Sequence, residues 1–153
     1  MHKSADGLSG TVYIPDTSAL IENPDALDRL LTGGNVVVLL HQVIEELGRL
    51  QASRSKSEGV RHAARLVMRK MLEYRRHQLI NHSVERLFQH EADPAAFPRT
   101  PAGGILAWEP DDVTIGPYST ESGDNHILAS ARRIAEVARG YQVRVSGIFH
   151  SGK

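Results

Sequence analysis

The chain has 153 residues, enough for one ordinary hydrophobic core and too few to need two. Apolar residues make up 41% and charged residues 24%, which argues for a globular fold; with no cysteine, disulfides, thiolate metal sites and a cysteine nucleophile are excluded. Lys+Arg and Asp+Glu both total 18, so net charge identifies no partner, and with neither an apolar signal core at the N-terminus nor the ~18 consecutive apolar residues of a membrane span, a cytoplasmic protein is expected.

Residues 1–10 read as a flexible N-terminal segment. Thr11-Val12-Tyr13-Ile14 is a run of strand formers, and Pro15 biases Ile14 away from helix. The strand ends on Asp16, followed by Thr17-Ser18 and a short helical turn through Ile21. An acid there caps the next helix, or it serves a site at the C-terminal edge of an open sheet, where α/β proteins bind their ligands. Asn23-Pro24-Asp25 opens a helix to about Leu31, and Gly33-Gly34 stops it. Asn35–Leu40 is dominated by a continuous apolar run, the mark of a strand buried on both faces.

His41 to about Gln51 reads as a helix with Val43, Ile44, Leu47 and Leu50 in one arc, at about 100° per residue. Glu46 falls at the edge of that arc, whereas Glu45 points nearly opposite. If either acid belongs to a site over the sheet, it is Glu46; the alternative is a pair of surface glutamates. Ala52–Glu58 reads as a polar loop and Gly59 to about Asn81 as a long amphipathic helix, with Val60, Ala64, Val67, Met68 and Met71 inward. Arg61, Arg65, Arg69 and Arg76 form another stripe of that helix, about 80° wide. Basic charge gathers in this region: Arg49 to Arg76 holds nine basic residues against Glu58 and Glu73, while His77 to Ala131 holds eight acids against Arg86 and Arg99. Such a row fits a solvated face or a nucleic-acid surface.

Val84–His90 reads as a short strand or helical turn and Asp93–Pro101 as a proline-rich loop. Gly104–Trp108 and Val113–Ile115 read as short strands around a Glu109-Pro110-Asp111 turn, with Trp108 read as packing ahead of base stacking. Glu121-Ser122-Gly123-Asp124-Asn125 leads into a helix ending near Gly140, whose apolar face carries Ile127, Leu128, Ala131, Ile134, Ala135 and Ala138. Asp124 sits in the middle of that face, so it caps backbone amides, is paired, or holds a metal. Gln142–Ser146 is a last strand. The alternation of strand and helix predicts an α/β fold, a parallel sheet flanked by helices in a single domain over residues 11–146.

Asp16, Glu46 and Asp124 stand out on separate geometric grounds. Carboxylates brought together repel one another unless a cation joins them, and hard oxygen ligands suit Mg²⁺ or Mn²⁺. Such an ion polarises a phosphate oxygen and lowers the pKa of an attacking water, so three acids beside a basic helix suggest phosphodiester hydrolysis.

The sequence resembles the PIN-domain ribonuclease family, and within it the N-terminal PIN domain of PhoH-type proteins. The matching stretches are Tyr13-Ile14-Pro15-Asp16-Thr17-Ser18-Ala19-Leu20 with Asn23-Pro24-Asp25-Ala26-Leu27, and Val36-Val37-Val38 with Val43-Ile44-Glu45-Glu46-Leu47-Gly48-Arg49-Leu50. Gly59-Val60-Arg61-His62-Ala63-Ala64-Arg65 and Gly123-Asp124-Asn125-His126-Ile127-Leu128-Ala129 complete the set, which spans about Val12 to Ser146. The resemblance implies a Rossmann-like, PIN-like sheet and metal-dependent endoribonuclease chemistry. By motif position Asp16, Glu46 and Asp124 are metal ligands and Thr17 and Ser18 lie near the metal and the RNA; the helix stripe of Arg61, Arg65 and Arg69 is expected to help hold that RNA. Implied partners are the RNA substrate, a second copy of the chain, and an antitoxin or a fused ATPase domain in the full-length form. Family members commonly carry a fourth acid just after the last strand, whereas no Asp or Glu follows Glu136 here, and residues 147–153 read as a truncated, frame-shifted or stand-alone tail. That departure keeps a second reading open: a non-catalytic RNA-binding or assembly module with the same fold.

Overall fold

A computed structural model describes residues 10–82, 87–88, 98–109, 123–138 and 141–146. The strands are β1 (Thr11–Pro15), β2 (Val36–Leu40), β3 (Ile80–His82), β4 (Ile105–Glu109) and β5 (Gln142–Ser146). Between them run α1 (Thr17–Glu22), α2 (Ala26–Leu30), α3 (His41–Ala52), α4 (Glu58–Arg76) and α5 (Gly123–Val137). The strands form one parallel sheet in the order β3-β4-β2-β1-β5, flanked by helices, so the expected α/β class is what the chain adopts.

Burial explains why these segments became strands. All of Val36–Leu40 is buried, as a central strand covered on both faces requires, and each such side chain contributes ~1.5–3 kcal/mol of transfer free energy. In β1, Val12 and Ile14 are fully buried while Thr11 and Tyr13 are partly open. On α3 the buried positions Val43 and Leu47 lie one turn apart, and α4 turns Ala63, Ala64, Val67 and Met71 inward, so the two helices pack on one another. Gly104 allows a close approach at the other end of β4: a Cβ there would meet the Leu31 backbone at 2.6–2.9 Å.

The long helix ends earlier than its hydrophobic pattern predicts. α4 stops at Arg76, and Gln78 takes a left-handed backbone with φ of 58°. The Leu79 N–H then reaches back to the Tyr74 carbonyl and the Gln78 N–H to that of Arg75, a Schellman-type closure that usually carries glycine at the left-handed position. The freed residues Ile80–His82 pair with β4 as the edge strand β3, an element the periodicity hid. α3 spans the expected segment, and α5 ends at Val137, short of Gly140. Of the expected Val84–His90 element only Leu87 and Phe88 are described, helical and buried, and the expected Val113–Ile115 strand lies outside the described residues. Among the described residues no helix is long and apolar enough to cross a membrane.

Candidate functional site

The strand order reverses beside β1: β2, β4 and β3 lie to one side and β5 to the other. At such a switch point the connections leave the sheet in opposite directions and open a crevice at the C-terminal ends of the strands. Asp16 is the first residue past β1, at that edge, and is only 5% exposed.

Its backbone is extended (φ −90°, ψ 177°) because it is the N-cap of α1. One carboxylate oxygen, Oδ1, accepts the Ala19 N–H at 2.9 Å and the Ser18 hydroxyl at 3.1 Å. The capping role is therefore real, and it occupies one oxygen. Among the described residues Oδ2 accepts no hydrogen bond. Thr17, 8% exposed, turns its hydroxyl the other way and donates to Glu46 Oε1 at 2.9 Å. Because β1 and β2 are parallel neighbours, α1 and α3 start at the same sheet edge, and this bond ties the two helices together next to Asp16. Both hydroxyls placed near the metal and the RNA by motif position thus hold the two acids.

Glu45 and Glu46 are both exposed, so the separation expected from the helix arc is one of partners and not of burial. A carboxylate at the rim of a buried face stays in reach of water while touching the neighbouring helix. Glu46 takes Thr17, whereas Glu45 turns to His41, whose Nε2 lies 3.2 Å from its Oε2. Asp124 is placed at the level of its backbone, in the first turn of α5. That helix returns the chain between the parallel strands β4 and β5, so it begins at the edge where β4 ends. The Asp124 side chain lies outside the described residues, among which no three acidic or histidine side chains form a metal-holding group.

The arginine row divides in two. Arg61 and Arg65 both bind Glu58, at 2.6 and 3.0 Å, and Arg61 also donates to the Ser53 carbonyl. Hydrogen bonds from Arg61 and then Arg65 hold the Glu58 carboxyl below its ordinary range. Arg69 and Arg76 are exposed and make no ion pair among the described residues, and the same holds for Arg75.

Two further groups lie at the same edge. Glu109 closes β4 and is 3% exposed, with Arg133 of α5 at 3.4 Å from its Oε2. It was expected in a turn, although Pro110 favours an extended backbone at the residue before it, a signal for one more strand position. His41 stacks near Trp108, ring centroids 6.2 Å apart at 27°, with its Nδ1 buried and unpartnered among the described residues.

A parallel sheet with a buried carboxylate at its switch point, and beside it a hydroxyl that holds a second carboxylate, places the chain in the class of α/β proteins whose ligand crevice lies at the C-terminal sheet edge. The chain belongs to the PIN-domain family, whose description, PIN domain, matches residues 13–146. Members of that family are typically nucleases and generally use divalent metals. No curated protein matches the chain at a significant level.

Proposed function

We propose that the chain is a metal-dependent endoribonuclease that hydrolyses phosphodiester bonds of RNA, with Asp16, Glu46 and Asp124 as the ligands of Mg²⁺ or Mn²⁺. The observation that carries this reading is the arrangement around Thr17. Asp16 and Glu46 each have one oxygen fixed by a hydroxyl or amide donor, while the other accepts no hydrogen bond among the described residues. Two hard, pre-oriented carboxylate oxygens suit a small divalent cation, and the family's general use of such ions supports the same reading. The ion supplies a Lewis acid for the phosphate and a lowered pKa for the attacking water. Asp16 stays in place because it is also the cap of α1, Glu46 because Thr17 holds it, and Arg69 and Arg76 attract the polyanion to the neighbouring helix.

The test is cleavage of an unstructured RNA in Mn²⁺. Asp16→Asn is the informative variant, since Asn caps a helix about as well as Asp and removes only the charge. Loss of cleavage in this variant and with chelator is expected, while activity that survives both would refute the mechanism. The lack of an acid directly after the last strand, at Gly147-Ile148-Phe149, favours the second reading, a non-catalytic RNA-binding module. Salt-dependent RNA binding with no cleavage in any divalent metal would select it.

A further inference from the structure

Beside the acidic site, the face of the sheet under α4 carries a hollow that the catalytic reading does not use. Leu39 and Trp108 are register partners on β2 and β4, so their side chains share one face, one residue before each strand ends. Met68, Leu72 and Arg75, at helical spacings of four and three, form the opposite wall, with Ile80 of β3 at the side. The hollow holds about 130 Å³ and is almost wholly apolar apart from Arg75. A second hollow of about 220 Å³ shares Arg75, Ile80 and Trp108 with it and adds the exposed Gln78 amide.

Among the described residues Leu72 is the one large apolar side chain left exposed, at 55%. Its position on the helix matters. At about 100° per residue, Leu72 lies roughly 20° from Arg61, between Arg75 at about −40° and Arg76 and Arg69 at about 60° and 80°. The apolar opening is therefore set inside the half of the arginine row that no described carboxylate neutralises. A partner's apolar segment would fill such a hollow without needing three cations around it, and a polyanion alone would need the cations without the hollow. A flat apolar ring attached to a phosphate chain needs both. An indole and a guanidinium offer it planar faces, and a side-chain amide offers an edge for hydrogen bonding.

We propose that this hollow binds an unstacked nucleobase of single-stranded RNA, held against Trp108 and Arg75, with Arg69 and Arg76 on the adjoining phosphates. The proposal rests on the RNA reading given above, but it needs neither metal nor cleavage. Trp108 is the only tryptophan in the chain, so its fluorescence reports on the hollow directly.

The full chain is titrated in EDTA with a short oligoadenylate and with an abasic ribose–phosphate oligomer of equal length. Base stacking contributes ~1–3 kcal/mol per base, so the oligoadenylate should bind at least about fivefold more tightly and quench Trp108, while the abasic oligomer does neither. Leu72→Glu, on a largely exposed position with melting temperature as the check on folding, should abolish the quench and weaken oligoadenylate binding at least tenfold. Arg75→Ala should weaken it by a smaller factor. Equal affinity for the two oligomers, or a Leu72→Glu chain that binds and quenches as the unmodified one does, would overturn the proposal. So would a concentration-dependent dimer, seen in sedimentation without RNA and lost in Leu72→Glu, which would assign the face to a second copy. Failure of the catalytic reading looks different: the oligoadenylate quenches Trp108 normally, yet no divalent metal supports cleavage.

Discussion

Replacing Thr17 by Val removes one hydroxyl and keeps the shape, so it isolates the bond from Thr17 to Glu46 Oε1 at 2.9 Å. A hydrogen bond to a charged acceptor contributes ~1.5–3 kcal/mol when both groups are removed from water. Thr17 is buried but Glu46 is exposed, so solvent competes for the carboxylate and brings the magnitude below that range, to about 1–1.4 kcal/mol. If Glu46 is a metal ligand, its orientation is what Thr17 provides, and Mn²⁺ affinity should fall about fivefold to tenfold. Calorimetric titration with Mn²⁺ measures this. Thr17→Ser, which retains the donor, should restore most of the affinity. The decisive arm is a double-mutant cycle with Glu46→Gln, in which Thr17→Val should have almost no further effect. Two independent, additive losses, or an unchanged affinity in Thr17→Val, would show that the bond fastens α1 to α3 without serving a metal.

At the far end of α4, Lys70 donates to Asp28 at 2.6 Å and Tyr74 donates to the same carboxylate. Burial alone would raise the Asp28 pKa, but the Lys70 and Tyr74 hydrogen bonds outweigh it and hold the carboxyl below its ordinary value. A depressed carboxyl pKa stabilises the fold above the unfolded value of ~3.9 and loses that contribution as pH falls through the lower folded value; Asp28→Asn should therefore flatten the acid limb of the stability curve and cost about 1 kcal/mol at neutral pH, after discounting for solvent screening. Burial, then the bond to Asp28, pushes the Tyr74 phenol above its ordinary range, so its contribution is intact below pH ~10 and declines as pH rises further, which Tyr74→Phe should remove in alkaline melts. Gln78→Gly relieves the left-handed backbone at φ 58° and should raise the melting temperature by about 2–3 °C, corresponding to ~0.5–1 kcal/mol; a lower melting temperature would refute the strain. Glu58→Gln frees Arg61 and Arg65, so RNA binding should tighten about twofold or more and become steeper in salt, by roughly 0.7 in slope for each arginine that reaches a phosphate. An unchanged salt slope would mean that RNA does not pass that turn of the helix.

What could be read from the sequence follows from how local each determinant is. β2 was plain because a strand buried on both faces needs an unbroken apolar run, and Val36–Leu40 supplies one. β3 was hidden because the helix before it ends on Gln78 and not on glycine; the stop is a tertiary compromise, and Ile80–His82 becomes a strand only by pairing with β4. Asp16 offered two readings, cap or site; the structure shows the cap, which uses only Oδ1, so that role does not exclude the other. The link from Thr17 to Glu46 joins positions 29 residues apart and has no periodic signature, so no helix-angle argument could have found it.

The sheet register connects the acidic site with the hollow. Val12 pairs with Val36 and Tyr13 with Val37, so continuing the register sets Asp16 level with Leu40, whose partner on β4 is Glu109. Trp108 is thus one residue back from that row and two strands across from Asp16. At about 4.8 Å per strand this is roughly 10 Å between backbones, a span that a short stretch of extended RNA covers. A base seated against Trp108 would then fix how far along the strand the phosphate at Asp16 lies, and the site of cleavage would be set by that spacing. The division of the arginine row fits the same geometry: Glu58 silences the turn of α4 nearest the α3–α4 loop, and the cations without a described carboxylate partner, Arg69, Arg75 and Arg76, are the ones beside the hollow.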